Sequence, residues 1–215
     1  NSSAEVVINE IHYDPVDVGF EAGSLREFVE LYNPGPESVD LSGYRLTQGI
    51  QFEFPEETIL EATQFLVIAR DPNQPTWVVR PYPVLGPYEG KLANEGDRIQ
   101  LLRSDQSIAD EVSYGVNRPW PTGANGYGPS LERIDWDLPS DDPHSWRASL
   151  RDGGTPGQGN TVVGTEPRPL IAGWRIDPLH PTSNDPVSLQ IAFDSPELIQ
   201  AATLRWERVG GELTF

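Results

Sequence analysis

The sequence contains no cysteine and no methionine among its 215 residues. Without cysteine the chain can form no disulfide, can offer no thiolate nucleophile and can bind no metal through sulfur. It also lacks any uninterrupted apolar run of the ~18–20 residues that a membrane-spanning helix requires. These absences exclude disulfide-stapled folds and thiol enzymes, and we expect no membrane insertion.

Basic residues are scarce: 15 Lys and Arg stand against 33 Asp and Glu, which gives a net charge of −18. Binding to phosphates requires clustered Lys and Arg, so this composition argues against DNA, RNA and anionic membrane surfaces as partners. An acidic surface favours solubility and attracts cations. We therefore expect no nucleic-acid partner.

Catalytic motifs are also absent, since the chain has no G-x-S-x-G elbow, no P-loop and no H-E-x-x-H sequence. The three histidines, at positions 12, 144 and 180, are far apart in sequence. General-base catalysis needs a pocket and a nucleophile as well as a base. These residues predict a protein that is not an enzyme, although a longer parent chain could carry a catalytic domain elsewhere.

Glycine and proline are plentiful, with 20 and 21 copies, and they separate short apolar stretches. In residues 27–33, Val29 and Leu31 alternate with Phe28 and Tyr32, so both faces carry apolar or aromatic bulk. Such a pattern predicts a central strand. Further strands are predicted at residues 6–13, 39–47, 51–55, 58–60, 64–70, 98–102, 108–114 and 130–134, with 98–102 and 108–114 forming a hairpin.

The spacing of these short strands, without helices between them, predicts an all-β antiparallel β-sandwich. Residues 14–26, 71–90 and 115–150 lack a clear strand period, so we expect long loop insertions there.

A change in composition around residues 153–169, which are rich in glycine and proline, is typical of a linker. We therefore predict a first domain over residues 1–160 and a linker over 161–169. The start of a second immunoglobulin-like β-sandwich, which we expect to be truncated, is predicted over 170–215, with strands at 170–176, 187–193 and 202–208.

Three motifs follow one another near the start of the chain: VINEI at residues 7–11, EFVELYNP at 27–34 and VDLSGYRL at 39–46. Together with LANEGD at 92–97 and the Gly-rich stretch at 153–160, this order resembles the lamin tail domain in its bacterial form. The resemblance covers roughly residues 5–160. It implies an immunoglobulin-like β-sandwich, and it supplies no catalytic residue that could be transferred to this chain.

The resemblance further implies a non-catalytic interaction or structural module of a secreted or cell-surface bacterial protein. Its partner would be a protein or a surface glycan, and no cofactor is expected apart from a possible Ca²⁺ ion. Two alternatives stay open. One is a Ca²⁺-dependent carbohydrate-binding or adhesive module, and the other is an accessory domain of a larger secreted enzyme such as a hydrolase, a nuclease or a spore-coat kinase-like protein.

One acidic loop is the candidate metal site, because Ca²⁺ takes 6–8 oxygen ligands and tolerates irregular loops. The loop lacks the order of an EF-hand and its terminal bidentate glutamate, so solvated surface carboxylates are the alternative interpretation. The four candidate ligands, which fall within eight residues, are Asp135, Asp137, Asp141 and Asp142.

A second acidic cluster is expected if the first two predicted strands pair; its members would be Glu10, Asp14, Glu27 and Glu30. Because Glu30 lies on an aromatic face of its strand, we expect it to be partly covered and to need a partner, either Arg26 or Arg45.

Four aromatic residues in the loop-rich region could form a stacking platform for a sugar. The alternative is that they anchor the long loops to the sandwich, which loops without helices require. These residues are Trp120, Tyr127, Trp136 and Trp146.

Overall fold

The computed structural model describes residues 6–17, 22–74, 77, 81–165, 171–179, 182 and 185–193. The chain divides into two compact units, residues 1–167 and 168–215. The strands of the first unit are β1 (Val7–His12), β2 (Phe28–Tyr32), β3 (Val39–Asp40), β4 (Arg45–Gln48), β5 (Ile50–Glu53), β6 (Ile59–Leu60), β7 (Phe65–Ala69), β8 (Val84–Leu85), β9 (Glu89–Gly90), β10 (Gly96–Leu102), β11 (Ile108–Gly115), β12 (Pro129–Arg133) and β13 (Trp146–Asp152).

Two sheets form the sandwich of the first unit, which confirms the predicted fold class. The six-stranded sheet has the order β13-β12-β1-β2-β7-β8, and the five-stranded sheet has the order β11-β10-β4-β5-β9. A small ribbon pairs β3 with β6. The described connections contain three 3-10 turns, Gly23–Arg26, Thr122–Ala124 and Pro143–Ser145. Among the described residues there is no helix with the length and apolar character of a membrane span.

Strand β2 is central, as its sequence predicts, because it pairs with β1 on one side and β7 on the other. Val29 and Leu31 are fully buried in the core between the sheets. On the opposite face, Phe28 packs with Val67 and Trp77 in a separate apolar cluster. We call this opposite side of the six-stranded sheet its outer face.

The core between the sheets follows from strand alternation, since every second side chain of a strand points to the same face. The hairpin of β10 and β11 is confirmed, and its register pairs Ile99 with Val112. The fully buried side chains that meet in this core include Ile8, Ile11, Val29, Leu31, Leu46, Ile99, Leu101, Val112 and Leu131.

Two segments expected to be loops contain strands of the six-stranded sheet. Strand β8 adds to β7 in parallel, so the antiparallel expectation is wrong at this edge. Strand β13 pairs with β12 at the other edge. Strand β8 is only two residues long, which is too short to show a period, and β13 shows no clear apolar alternation, since its apolar Leu150 is 80% exposed. The sequence pattern missed both strands for this reason.

The chain after β13 returns over the outer face, and the packed segment continues past residue 160. The Gly164 amide donates to the Ile134 carbonyl at 3.1 Å, and Val162 is buried. Residues 161–165 therefore pack on the sandwich, in a stretch that the sequence predicted to be a linker.

The described part of the second unit is an antiparallel pair of strands, β14 (Ile171–Asp177) and β15 (Ser188–Phe193). They agree with the first two strands predicted for this region. The strand predicted at 202–208 lies outside the described residues, and the assignment of 170–215 as an immunoglobulin-like domain stays a prediction.

Candidate functional site

Three glutamates lie side by side on the outer face of the six-stranded sheet. Glu10 of β1 is in register with Glu30 of β2 on one side and with Glu132 of β12 on the other. Because residues directly opposite each other in neighbouring strands share a face, the three side chains form one row. All three are fully buried. We call Glu10, Glu30 and Glu132 the carboxylate row.

Residues 153–161, which we call the closing segment, cover this row with backbone donors. The Thr155 amide donates to Glu10 Oε1 at 2.9 Å, and the Gly157 amide donates to Glu30 Oε2 at 2.5 Å. The Thr161 amide donates to Glu132 Oε2 at 2.8 Å. One short stretch of chain thus binds each of the three carboxyl groups through a different peptide N–H.

Side-chain donors complete the hydrogen bonding of the row. Ser130 Oγ donates to Glu10 Oε1 at 2.5 Å, and Asn9 Nδ2 donates to Glu30 Oε1 at 2.8 Å. Thr161 Oγ1 donates to Glu132 Oε2 at 2.7 Å. With the contacts of the Thr155 hydroxyl, every carboxyl oxygen of the row has a partner, as buried polar atoms require.

The Thr155 hydroxyl lies between two members of the row. Its Oγ1 is 2.8 Å from Glu132 Oε1 and 3.3 Å from Glu10 Oε2, although a hydroxyl carries a single proton. Both contacts are satisfied when one carboxyl is protonated and donates to the hydroxyl, which then donates to the other. The geometry therefore favours a carboxyl proton held within the row.

The electrostatics of the row point the same way. Burial raises the pKa of Glu10 to about 8, and the nearby charge of Glu132 adds to this shift against the opposing hydrogen bonds from Ser130 and Thr155. Burial, followed by the charge of Glu10, raises the pKa of Glu30 well above its ordinary value. The donors described above are all neutral, so they favour the ionised form only partly. Part of the row is therefore protonated at neutral pH.

Glycine is required where the closing segment meets the row. Gly154 has φ +75°, in the left-handed region, and a Cβ atom built there would lie 1.9 Å from Glu10 Oε1. The absence of a side chain lets the backbone approach the carboxyl closely enough for the next residue to donate its amide. The Gly-Gly sequence, whose composition is typical of a linker, is thus part of the site.

The chain is similar to known proteins in both sequence and structure. The family model of the lamin tail domain matches residues 1–116, which is more than half of the 215-residue chain. The chain belongs to the lamin tail domain family. No curated protein matches it. Solved structures that it resembles include a DUF4876 family protein from Bacteroides thetaiotaomicron, with 11% identity, a TM-score of 0.45 and coverage of 68% of each chain.

The family is immunoglobulin-like and non-enzymatic. The region of this lamin tail domain that matches the family model supplies Glu10 and Glu30. Glu132 and the closing segment lie C-terminal to that region. The candidate site is therefore assembled from the matched part of the sandwich and from chain that follows it.

The expected acidic cluster is only half right. Glu10 and Glu30 meet, but Glu27 instead binds Arg70 at 3.0 Å and accepts from the Tyr88 hydroxyl at 3.1 Å. Asp14 accepts a hydrogen bond from Asn94 and also lies outside the row. The third member, Glu132, was missed, although its alternation with the core residue Leu131 could have placed it on the outer face.

Neither Arg26 nor Arg45 is the partner of Glu30, so that expectation is wrong. Arg45 pairs with Glu53 at 3.3 Å on the five-stranded sheet. Arg26 donates to the carbonyl of Val16. Asn9 and Gly157 supply neutral donors instead, because a partly protonated row does not need a full countercharge.

Three of the four aspartates of the candidate metal site accept backbone hydrogen bonds in separate places. Asp135 accepts from the Asp137 amide at 3.0 Å, and Asp142 caps the 3-10 turn through the His144 amide at 2.9 Å. Asp141 accepts from the Ser113 amide of β11 at 2.6 Å. Within the described residues, no group of three or more His, Asp or Glu side chains has the arrangement of a metal site. Ca²⁺ binding stays a prediction.

The four candidate platform residues do not share one surface. Trp146 is fully buried and Trp120 is 8% exposed, and their ring centroids are 6.4 Å apart in the core. Buried rings cannot present a face to a sugar, so these two act as the anchors that the alternative interpretation described. Trp136 and Tyr127 are exposed, at 41% and 76%.

Proposed function

We propose that this lamin tail domain is a non-catalytic interaction module of a secreted or cell-surface protein, and that the carboxylate row serves to fix its closing segment. The observation that carries the proposal is the complete internal hydrogen bonding of the row. Its three carboxyl groups are fully buried, and all of their oxygens bind donors from the same chain. Carboxyl groups that work as catalytic acids or bases must reach a substrate.

The acidic composition supports the same proposal. With a net charge of −18, the module attracts basic surfaces from a distance and repels nucleic acids. A partner with a basic face, either a protein or a glycan with amino groups, therefore fits the charge of the domain.

Two measurements test this proposal. The 215-residue protein is assayed against nucleic acid, ester and glycoside substrates, and we expect no turnover. Turnover that Glu10→Gln abolishes while the melting temperature is preserved would show that the row is catalytic.

The second measurement concerns location. An antibody against the domain is used on culture medium, cell-surface and cytoplasmic fractions of the source organism. We expect the parent protein in the medium or at the surface. Recovery from the cytoplasm alone would overturn the proposed location.

A further inference from the structure

One connection of the first unit contains the asparagine–glycine pair Asn125-Gly126, a dipeptide that occurs once in the chain. The pair lies between the 3-10 turn Thr122–Ala124 and strand β12. Gly126 is exposed and Asn125 is half-buried, whereas Ala124 and Gly128 on either side are buried. Water therefore reaches the pair, while the chain on both sides of it is held in the sandwich.

An asparagine that precedes glycine can react without an enzyme. The backbone nitrogen of the glycine attacks the side-chain carbon Cγ, a new C–N bond closes a five-membered succinimide, and the bond from Cγ to the side-chain nitrogen breaks. Ammonia leaves with the proton of the attacking amide. Water then opens the ring at either of its carbonyl groups and yields aspartate or isoaspartate. Glycine favours the first step because it has no Cβ atom to obstruct the approach of its nitrogen.

The peptide unit that must turn for this attack is not held by hydrogen bonds. Among the described residues, the Asn125 carbonyl, the Asn125 side-chain amide and the Gly126 amide have no hydrogen-bond partner. Asn125 has ψ 84° and Gly126 has φ +72°. Rotation of this peptide plane changes mainly these two angles, and glycine accepts either sign of φ. The Gly126 nitrogen can therefore turn towards Cγ without breaking a hydrogen bond of the fold.

The other described asparagines lack this combination of features. Asn9 and Asn160 are buried, and Asn9 Nδ2 donates to Asn160 Oδ1 at 2.9 Å. Asn33 precedes proline, which has no backbone N–H to lose. The remaining three each precede a residue with a long side chain: Asn73, Asn94 and Asn117. The reaction is therefore expected at Asn125 first.

The reaction product places a new carboxylate beside existing ones. Asp14 Oδ2 lies 2.8 Å from the position that a Cβ atom would take at Gly126. Burial raises the pKa of Asp14, and the charge of Glu95 adds to this shift against the hydrogen bond from Asn94. A negative charge at position 125 therefore repels groups that already crowd one another, and isoaspartate also adds a carbon to the backbone of the turn.

The same turn is bonded to the closing segment. Gly128, two residues after the pair, accepts a hydrogen bond from the Gly153 amide at 2.8 Å. Gly153 is the first residue of the closing segment. A change in the geometry of the turn therefore acts on the point where the closing segment begins.

From these observations we infer that Asn125 is a self-modification site of the folded protein. The Asn125-Gly126 pair converts to aspartate and isoaspartate, with water as the reactant and ammonia as the product, and the conversion weakens the hydrogen bond between Gly128 and Gly153. The inference goes beyond the proposed function, which involves no change in covalent structure.

The test is peptide mapping by mass spectrometry of the 215-residue protein after several weeks at pH 6 and at pH 8, with folding monitored by circular dichroism. We expect the peptide that contains Asn125 to gain the mass difference between OH and NH2, and to form aspartate and isoaspartate products that separate by chromatography. The conversion should be faster at pH 8, because the attacking nitrogen must lose its proton. Protein kept in urea shows whether the same peptide reacts when unfolded.

Two variants locate the reaction. Asn125→Gln would have to close a six-membered ring, so the mass increase of this peptide should be lost. The control is Asn117→Gln, at an exposed asparagine in the same connection that precedes arginine, and it should leave the conversion at Asn125 unchanged. Hydrogen exchange of the converted protein, separated by anion exchange, should show a several-fold faster Gly153 amide and an unchanged Val29 amide of β2.

Three results would overturn the inference. The first is a folded protein whose Asn125 peptide keeps its mass at pH 8 while the protein in urea converts. The second is a product that contains aspartate alone, since direct hydrolysis of the side chain gives no isoaspartate. The third is a converted protein in which the Gly153 amide exchanges as slowly as before, which would remove the link to the closing segment.

Discussion

Both faces of the six-stranded sheet bury side chains, but of opposite chemistry. The inner face carries Ile8, Val29 and Leu31, which meet the apolar side chains of the five-stranded sheet. The outer face carries Glu10 and Glu30 in the same strands, beside Phe28. A second sheet covers the apolar face, whereas a loop with aligned peptide N–H groups covers the polar one.

The two faces show that a buried side chain does not necessarily stabilise the fold. Removing apolar area from water stabilises the fold by about 25 cal/mol per Å². Burying a carboxyl group is costly, and its hydrogen bonds offset that cost with little net gain. We therefore expect the inner face to supply most of the stability and the row to determine where the closing segment lies.

The largest effect that separates the two faces is expected from Leu31→Ala. Leu31 is fully buried in the inner core, and truncation of such a side chain costs about 2–5 kcal/mol of unfolding free energy. Urea denaturation at pH 7 measures it. Leu150→Ala, at a position that is 80% exposed, is the matched control and should change stability by less than about 0.5 kcal/mol. Equal costs at the two positions would contradict the assignment of the core.

The next largest effect is a pH dependence of the free energy of unfolding that arises from Glu10 of the carboxylate row. Burial raises the folded-state pKa of Glu10 from 4.5 to about 8, so the folded protein holds this proton more tightly than the unfolded chain does. Its stabilising contribution is complete below pH 4.5 and is lost as the pH rises to about 8, by on the order of a few kcal/mol.

Glu10→Gln is neutral at every pH and should remove this dependence. The free energy of unfolding of Glu10→Gln minus that of the wild type should increase steadily from pH 5 to pH 8. Burial lowers the pKa of His12 to about 4, so His12 makes the fold less stable as the pH falls below 6.5, which is the opposite pH dependence. Both proteins contain His12, so its effect cancels in the difference between their unfolding free energies. Glu56→Gln, on the surface, is the control. Parallel curves for the wild type and Glu10→Gln would refute a protonated row.

A smaller effect is expected from Thr155→Val, which preserves shape but removes the hydroxyl between Glu10 and Glu132. Leaving two buried carboxyl oxygens with one partner fewer should cost about 1–3 kcal/mol. The loss should be local, so hydrogen exchange of the amides in residues 153–161 should accelerate more than that of β2. Uniform acceleration across the sandwich would mean that the row supports the whole fold.

The smallest effect is expected from Ca²⁺. Asp135, Asp141 and Asp142 already accept hydrogen bonds from backbone amides in separate places. Melting in EDTA and then in millimolar Ca²⁺ should therefore give the same midpoint. A site occupied at 100 times its Kd would add about 2.7 kcal/mol, which corresponds to several degrees, and such a shift would restore the adhesive or sugar-binding alternative.

Much of the sandwich could be predicted because its strands have local patterns. Residues 27–33 alternate so clearly that the central position of β2 followed from them alone. Strands β8 and β13 could not be found in the same way, since they lie at the edges of the sheet and carry little periodic apolar character. The burial of Trp146 likewise depends on the pairing of β13 with β12.

The candidate site shows the same limit more sharply. Sequence alone indicated that Glu10 and Glu30 would meet if their strands paired. Its alternation with Leu131 could place Glu132 on the outer face of a strand, but no local pattern could place that strand beside β1, about a hundred residues away. The composition of the Gly-rich stretch after residue 152 was that of a linker, although the predicted first domain ran to residue 160. Only the tertiary structure shows that the backbone amides of this stretch bind the three carboxyl groups of the row.

Sequence by itself determined the fold class, the central strand, the hairpin of β10 and β11, and the resemblance to lamin tail domains, because local periodicity and turn residues encode these features. Tertiary structure alone decided the carboxylate row and the closing segment. Each of these depends on strand register and on a chain return across the sheet. The bond between Thr155 and Glu10 joins residues 145 positions apart, a distance over which no local pattern operates.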